Sequence, residues 1–139
     1  MNSQLCTLVR LGPIDYQSGH KLQQATAIAR KMNLINDTLL LVEHPNVFTV
    51  GRRGKLDDVL ADTLTLAKLG VSVYKTDRGG EVTYHGPGQI VAYPILNIQP
   101  LGGPRRYVWS LEEAILAVLD EFGVNGGRRI PGLTGVWVG

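Results

Sequence analysis

Apolar residues fall into short runs broken by glycine, proline and charge, a pattern that predicts short strands alternating with helices. Residues 5–11 form one such run and stop at Gly12-Pro13, as a strand would. Asp15 then supplies a helix N-cap, because its carboxylate can accept first-turn N–H groups. Leu22, Ala25, Ile28, Ala29 and Met32 recur at helical spacing beyond it, and Asn33 marks a stop. Residues 38–43 (TLLLVE) are continuously apolar, which suits a central strand covered on both faces. A second strand is expected at 47–50, then a weak helix at 60–69 closed by Gly70. Residues 71–76 alternate as a strand does, and 90–98 read as another, with Pro94 placing it at an edge or bulge. Residues 100–106 read as a loop. Ser110 with Glu113 then reads as a capping box opening a helix with the stripe Leu111, Ala114, Ile115, Val118, Leu119 and Phe122. Residues 134–138 (TGVWV) read as a final strand.

This order of elements reads as an α/β or α+β domain, and composition narrows what it can do. The 139 residues are 44% hydrophobic and 19% charged, which fits a folded globular chain and excludes extended disorder. A net charge of +2 gives no reason to expect nucleic acid. Arginines nevertheless cluster, at Arg52-Arg53, Arg105-Arg106 and Arg128-Arg129, either as solvated loop charge or as a docking surface for an acidic partner. Cys6 is the only cysteine, so no internal disulfide is possible, and its apolar surroundings suit a buried structural thiol. No apolar run approaches the ~18 residues of a membrane span. The first ten residues lack the roughly 7–15-residue apolar core of a signal peptide. Trp109 and Trp137 read as core anchors.

Candidate chemistry concentrates in residues 77–89, DRGGEVTYHGPGQ. Paired glycines at the end of a strand let the backbone turn tightly or let another group come close. His85 could contact a substrate carbonyl or orient a nucleophile. Arg78 could receive a carboxylate or phosphate, or could hold Asp77 or Glu81. His44 ends the predicted central strand, where sites gather, whereas His20 reads as a surface residue of the first helix. The basic loop GRRGK (51–55) lacks P-loop spacing. The three histidines match no common zinc spacing, and GxSxG is absent. These residues describe a glycine-rich binding loop without specifying a reaction.

Residues 78–96, RGGEVTYHGPGQIVAYPIL, resemble the signature of the lipoyl(octanoyl) transferases, written RGGxxTYHGPGQ. VEHPNVFTVGRRG (42–54), SLEEAILAVLDEFGV (110–124) and PGLTGVWVG (131–139) resemble further segments of that family. The resemblance implies an α+β fold, a mixed β-sheet flanked by helices, shared with the biotin and lipoate protein ligases. It makes residues 1–139 the N-terminal portion of one such catalytic domain, incomplete at its C-terminus. The implied reaction moves octanoyl from octanoyl-acyl carrier protein to a lysine of an apo lipoyl domain, through a cysteine thioester. Neither cofactor nor metal is implied. The family's catalytic lysine and cysteine follow the GVWV segment. Cys6 and the lysines present do not match them, so this chain is expected to bind rather than to turn over.

The resemblance assigns substrate binding to Arg78, Gly79, Gly80, Glu81, Val82, Thr83, Tyr84 and His85. Thr83 and His85 would meet the thioester carbonyl, and Tyr84 would line an acyl tunnel. His44 would face the same cavity, and Arg52 and Arg53 would meet the acidic carrier protein. Implied partners are octanoyl-acyl carrier protein, the apo lipoyl domains of 2-oxoacid dehydrogenase complexes and the glycine cleavage H protein, with no nucleic acid or membrane. The implied location is the cytoplasm, or the mitochondrion in a eukaryote. Two alternatives stand beside this reading: an ATP-dependent lipoate or biotin protein ligase of the same fold, and a non-catalytic acyl-binding fragment.

Overall fold

The computed structural model describes residues 5–139. Its elements, in chain order, are β1 (Cys6–Pro13), α1 (Tyr16–Lys31), β2 (Asp37–Glu43), β3 (Val47–Val50), a 3-10 turn (Leu56–Asp58), α2 (Thr63–Lys68), β4 (Ser72–Lys75), β5 (Val82–His85), β6 (Ile90–Ile95) and α3 (Gly103–Glu121). They form two compact units, one running through Leu96 and the other Asn97–Gly139.

The first unit is α+β and holds two small mixed sheets. One has the order β1-β2-β6, with β1 parallel and β6 antiparallel to β2. The other has the order β4-β3-β5, with β4 parallel and β5 antiparallel to β3. Central strands β2 and β3 are the apolar runs in the sequence, and they carry the core: Leu40, Val42, Val47 and Val50 are buried. Each contributes about 1.5–3 kcal/mol relative to an exposed side chain. Pro94 lies opposite Leu39 on β6, an edge strand, the setting in which a strand proline is tolerated. β1 is the other edge, and it leaves Cys6 exposed rather than buried as the sequence suggested.

Asp15 caps α1 by accepting from Ser18 N at 2.9 Å, and Asn33 follows the helix with a φ of 57°. The inward face differs from the apolar stripe expected. Tyr16 and Gly19 are buried, while Ile28 and Met32 are exposed. The face that turns in carries Tyr16, Gly19, His20 and Gln23 at helical spacing, together with Arg30, which reaches buried Asp37 at 2.6 Å. α2 starts later than the apolar pattern suggested, because Asp62 caps it by accepting from Thr65 N at 2.8 Å.

In the second unit α3 begins at Gly103, seven positions before the expected start at Ser110. Pro104 occupies its first turn, where a missing N–H is harmless. Ser110 is therefore interior, and its hydroxyl donates to Arg106 O. Glu113 pairs with Arg129 instead of closing a capping box. Arg129 Nε also meets Glu112 Oε2 at 2.9 Å, and Glu112 Oε1 accepts from Gly135 N at 2.7 Å. That last bond, more than any other, holds the Glu112 carboxyl below its ordinary range, with Arg129 adding to it. Residues 134–138 make a single antiparallel bridge, Arg128 to Trp137, rather than a strand. Trp109 is exposed, with the Arg129 guanidinium 4.7 Å above its ring, and Trp137 is also exposed, so neither anchors a core.

Candidate functional site

β5 places its residues on two faces. Thr83 and His85 lie on the face that receives α1, along with Thr49 of β3 and Tyr74 of β4. Val82 and Tyr84 point the other way. Tyr84 packs against Phe48, with ring centroids 5.3 Å apart, and donates to Asn46 Oδ1 at 2.7 Å. Its ring is thus placed away from the side where Thr83 and His85 meet α1.

That side holds a cavity of about 220 Å³. Tyr16, His20 and Gln23 of α1 form one wall, and Val91 and Tyr93 of β6 form another. Thr83 and His85 of β5 and Thr76, Asp77 and Arg78 of the loop after β4 complete it. The volume falls below the ~300–1,000 Å³ of a cleft that encloses a whole drug-sized ligand. It suits one end of a longer molecule.

All three histidines of the chain gather around Tyr16. His20 stacks on its ring at 6.0 Å, His44 meets it edge-on at 5.3 Å, and His85 lies parallel at 6.5 Å. The Tyr16 hydroxyl donates to Thr76 Oγ1 at 3.1 Å, tying α1 to the loop. His44 is almost wholly buried and is held at both nitrogens. Its Nδ1 donates to Ile14 O at 2.8 Å, because a carbonyl can only accept. In the Nδ1–H tautomer its Nε2 accepts from the Tyr93 hydroxyl, also at 2.8 Å. Gly19 makes room for this arrangement: a Cβ there would stand 3.0 Å from His44 Cε1. Burial pushes the Tyr93 phenol up to about 12, nearby Tyr16 adds to the rise, and the Gln23 amide and Arg78 oppose it. Tyr93 thus keeps its proton and stays a donor to His44. His85 Nδ1 pairs with Gln89 Oε1 at 2.6 Å, which leaves its Nε2 as an acceptor.

Arg78 binds the protein itself. Its Nε donates to Thr49 Oγ1 at 3.0 Å, Nη1 to Gly79 O at 2.8 Å, and Nη2 to Thr49 O at 2.6 Å and Glu81 O at 3.0 Å. Of the two sequence readings, anion receptor or loop holder, its described partners fit the second. They are Thr49 and two backbone carbonyls, and not the side chains of Asp77 or Glu81. The Gly79-Gly80-Glu81 backbone is also fastened to the basic loop. Gly51 N donates to Glu81 O at 2.7 Å, Arg52 N to Arg78 O at 3.0 Å and Arg53 N to Gly80 O at 3.1 Å. The close approach explains Gly51, where a Cβ would lie 2.5 Å from Gly80 O. The side chains of Arg52 and Arg53 are exposed and belong to no ion pair among the described residues.

Of the residues singled out in the sequence, the cavity brings together Arg78, Thr83 and His85, with His44 packed behind them. Gly79, Gly80 and Glu81 build the loop that carries Arg78. His20, expected on the surface, lines the cavity with its Nε2 3.5 Å from Asp77 Oδ1. Tyr16, Gln23, Thr49 and Tyr93 escaped notice. The signal for α1 was available, since Tyr16, Gly19, His20 and Gln23 recur at helical spacing. An apolar stripe was sought there, while the stripe that faces inward is mostly polar.

The family description "Lipoyl protein ligase A/B catalytic domain" matches residues 15–139. The chain is 48% identical over 135 residues to an octanoyltransferase of Solibacter usitatus, covering 96% of this chain and 61% of that protein. It is 47% identical over 133 residues to an octanoyltransferase of Chloroflexus aggregans, covering 95% and 60% respectively. The chain thus spans about three-fifths of the length of these relatives. Among solved structures, a bipartite lipoate protein ligase from Thermoplasma acidophilum, studied with its E2 lipoyl domain, superposes with a TM-score of 0.62 at 17% identity. That match covers 93% of this chain and 49% of the other. A lipoate-protein ligase A bound with ATP gives a TM-score of 0.60 at 17% identity, covering 95% and 53%. At such identities the likeness is one of fold, and it supports the α+β ligase-like architecture. The match over residues 15–139, with nearly half the residues shared with named octanoyltransferases, establishes that the chain belongs to the lipoyl protein ligase A/B catalytic-domain family.

Proposed function

We propose that residues 1–139 form the acyl-holding part of one octanoyltransferase domain, and that the cavity between α1, β5 and β6 receives the thioester end of an octanoyl group. The observation that carries the reading is the near-half identity to octanoyltransferases along almost the whole chain. The cavity supports it by its size and by polar groups at one end. Thr83 offers a hydroxyl to the thioester carbonyl, and His85 Nε2 offers an acceptor beside it. Arg78 acts by positioning: it fixes the Gly79-Gly80-Glu81 backbone against Thr49, so the loop is formed before substrate arrives. His44, bonded at both ring nitrogens, holds Tyr93 in the wall.

In the proposed reaction the sulfur of a cysteine replaces the carrier-protein thiol on the octanoyl carbonyl. The amine of a lipoyl-domain lysine then displaces that sulfur, giving an amide and a free thiol. The donor is octanoyl-acyl carrier protein, which the exposed Arg52 and Arg53 would meet through complementary charge. The acceptors are apo lipoyl domains, including those of 2-oxoacid dehydrogenase complexes and the H protein, and the location is the cytoplasm or mitochondrial matrix. No helix among the described residues is long and apolar enough to cross a membrane. Cys6 is exposed on β1 and is absent from the cavity lining, so these residues supply the wall and not the nucleophile.

A chimera tests this proposal. Joining the chain to the segment of the Solibacter relative that it does not match should restore octanoyl transfer from carrier protein to an apo lipoyl domain without ATP, read by mass spectrometry. A folded chimera that transfers only when ATP is supplied would favour the ligase reading. A folded chimera with no transfer under either condition would favour the non-catalytic one.

A further inference from the structure

The cavity between α1, β5 and β6 carries one carboxylate. Asp77 is the only acidic residue in its lining among the described residues. Its side chain is 72% exposed, so it sits at the mouth and can be reached from outside. His20 Nε2 stands 3.5 Å from Asp77 Oδ1, too far for a strong hydrogen bond, and the carboxylate keeps room for a second partner. Arg78, the cation of the same lining, is turned into the loop by its bonds to Thr49, Gly79 and Glu81. A carboxylate at the mouth of a small cavity attracts a cation and turns away a second anion. The two groups that must meet in octanoyl transfer differ in this respect. A thioester is uncharged, whereas the lysine that attacks it arrives as an ammonium.

Resting on the octanoyl-transfer reading of the same cavity, we propose that Asp77 is a substrate-contacting residue that receives the ammonium of the acceptor lysine. Asp77 then serves the acceptor and not the acyl donor. Thr83 and His85, in the same lining, are left to the thioester. An ion pair this exposed is weak. It brings the lysine to the mouth and still lets the amine lose its proton and attack.

The test titrates the chain by calorimetry with an apo lipoyl domain, and in parallel with the same domain after its target lysine is replaced by methionine. Octanoyl-N-acetylcysteamine thioester, titrated separately, reports on the acyl site. Asp77→Asn should weaken binding of the lysine domain about threefold, the worth of one exposed ion pair, and leave the methionine domain unchanged. Asp77→Glu should keep most of the affinity. The difference between Asp77 and Asp77→Asn should vanish in about 1 M salt, where exposed charges are screened. Thioester affinity should be the same in both chains. Asp77 is exposed, and a thermal midpoint matching wild type would show that each variant is folded. Equal affinity of wild type and Asp77→Asn for the lysine domain would overturn the role of Asp77 and leave the acyl site standing. Equal weakening of both domains would do the same, because the carboxylate would then meet some other part of the domain. A wild-type chain that binds the thioester but not the lysine domain would also overturn this role alone. Failure to bind either would overturn the acyl site and this role with it.

Discussion

The Arg78 guanidinium reaches Thr49 and the carbonyls of Gly79 and Glu81, joining β3 to the glycine loop with charge-assisted bonds. Removing it should leave buried Thr49 without those donors. Arg78→Met is expected to destabilise the chain by about 2–3 kcal/mol in urea unfolding. Arg78→Lys should recover only part of that, because an ammonium cannot span the same fork. If Arg78 chiefly received a substrate anion, both variants would unfold as wild type does. Tyr93 gives a second residue-scale test. Its phenol ordinarily titrates near 10.0 and is raised to about 12 by burial. A raised folded-state pKa stabilises the fold fully below the unfolded value and loses that contribution as pH rises toward the folded one. The chain should therefore weaken between about pH 10 and 12. Ultraviolet titration should show a late tyrosine step that Tyr93→Phe removes.

At the scale of elements, strands were legible where the apolar run was unbroken. β2 and β3 appear almost where TLLLVE and VFTV predict them, because central strands need apolar side chains on both faces. The N-cap at Asp15 and the stop at Asn33 were legible for local reasons of their own. Helix α3 was misread because a Ser–Glu spacing is only one of several uses those side chains have. Pro104 after a left-handed Gly102 was the true opening, while Ser110 and Glu113 had other partners. Ser110→Ala tests the corrected start. In a helix interior alanine should leave stability unchanged or raise it by roughly 0.5 kcal/mol. A loss of about 1 kcal/mol would restore the capping reading. The candidate site was half legible. RGGEVTYH lies in one stretch of chain and announces itself by its glycines. The α1 wall of Tyr16, His20 and Gln23 does not, because polar residues on a helix face inward only when a cavity exists to receive them.

For the whole molecule, acid should act through three carboxyls held below their ordinary values. Asp15 is lowered by its bonds from Ser18, Asp62 by those from Thr65, and Glu112 by Gly135 and then Arg129. Each folded value lies below the unfolded one, so the stabilisation is present above the unfolded value and is lost as pH falls through the folded one. The thermal midpoint should hold steady near neutrality and fall below the ordinary values of 3.8 for Asp and 4.5 for Glu. A midpoint already falling at pH 6 would contradict this. The account's central claim concerns the cavity that α1, β5, β6 and the Arg78 loop enclose. Calorimetric titration of the chain with octanoyl-acyl carrier protein in the absence of ATP tests it most directly. The account predicts saturable binding at one site, abolished by the double variant Thr83→Val, His85→Phe in a chain that still unfolds cooperatively. Binding that appears only with ATP, or that survives the double variant undiminished, would contradict it.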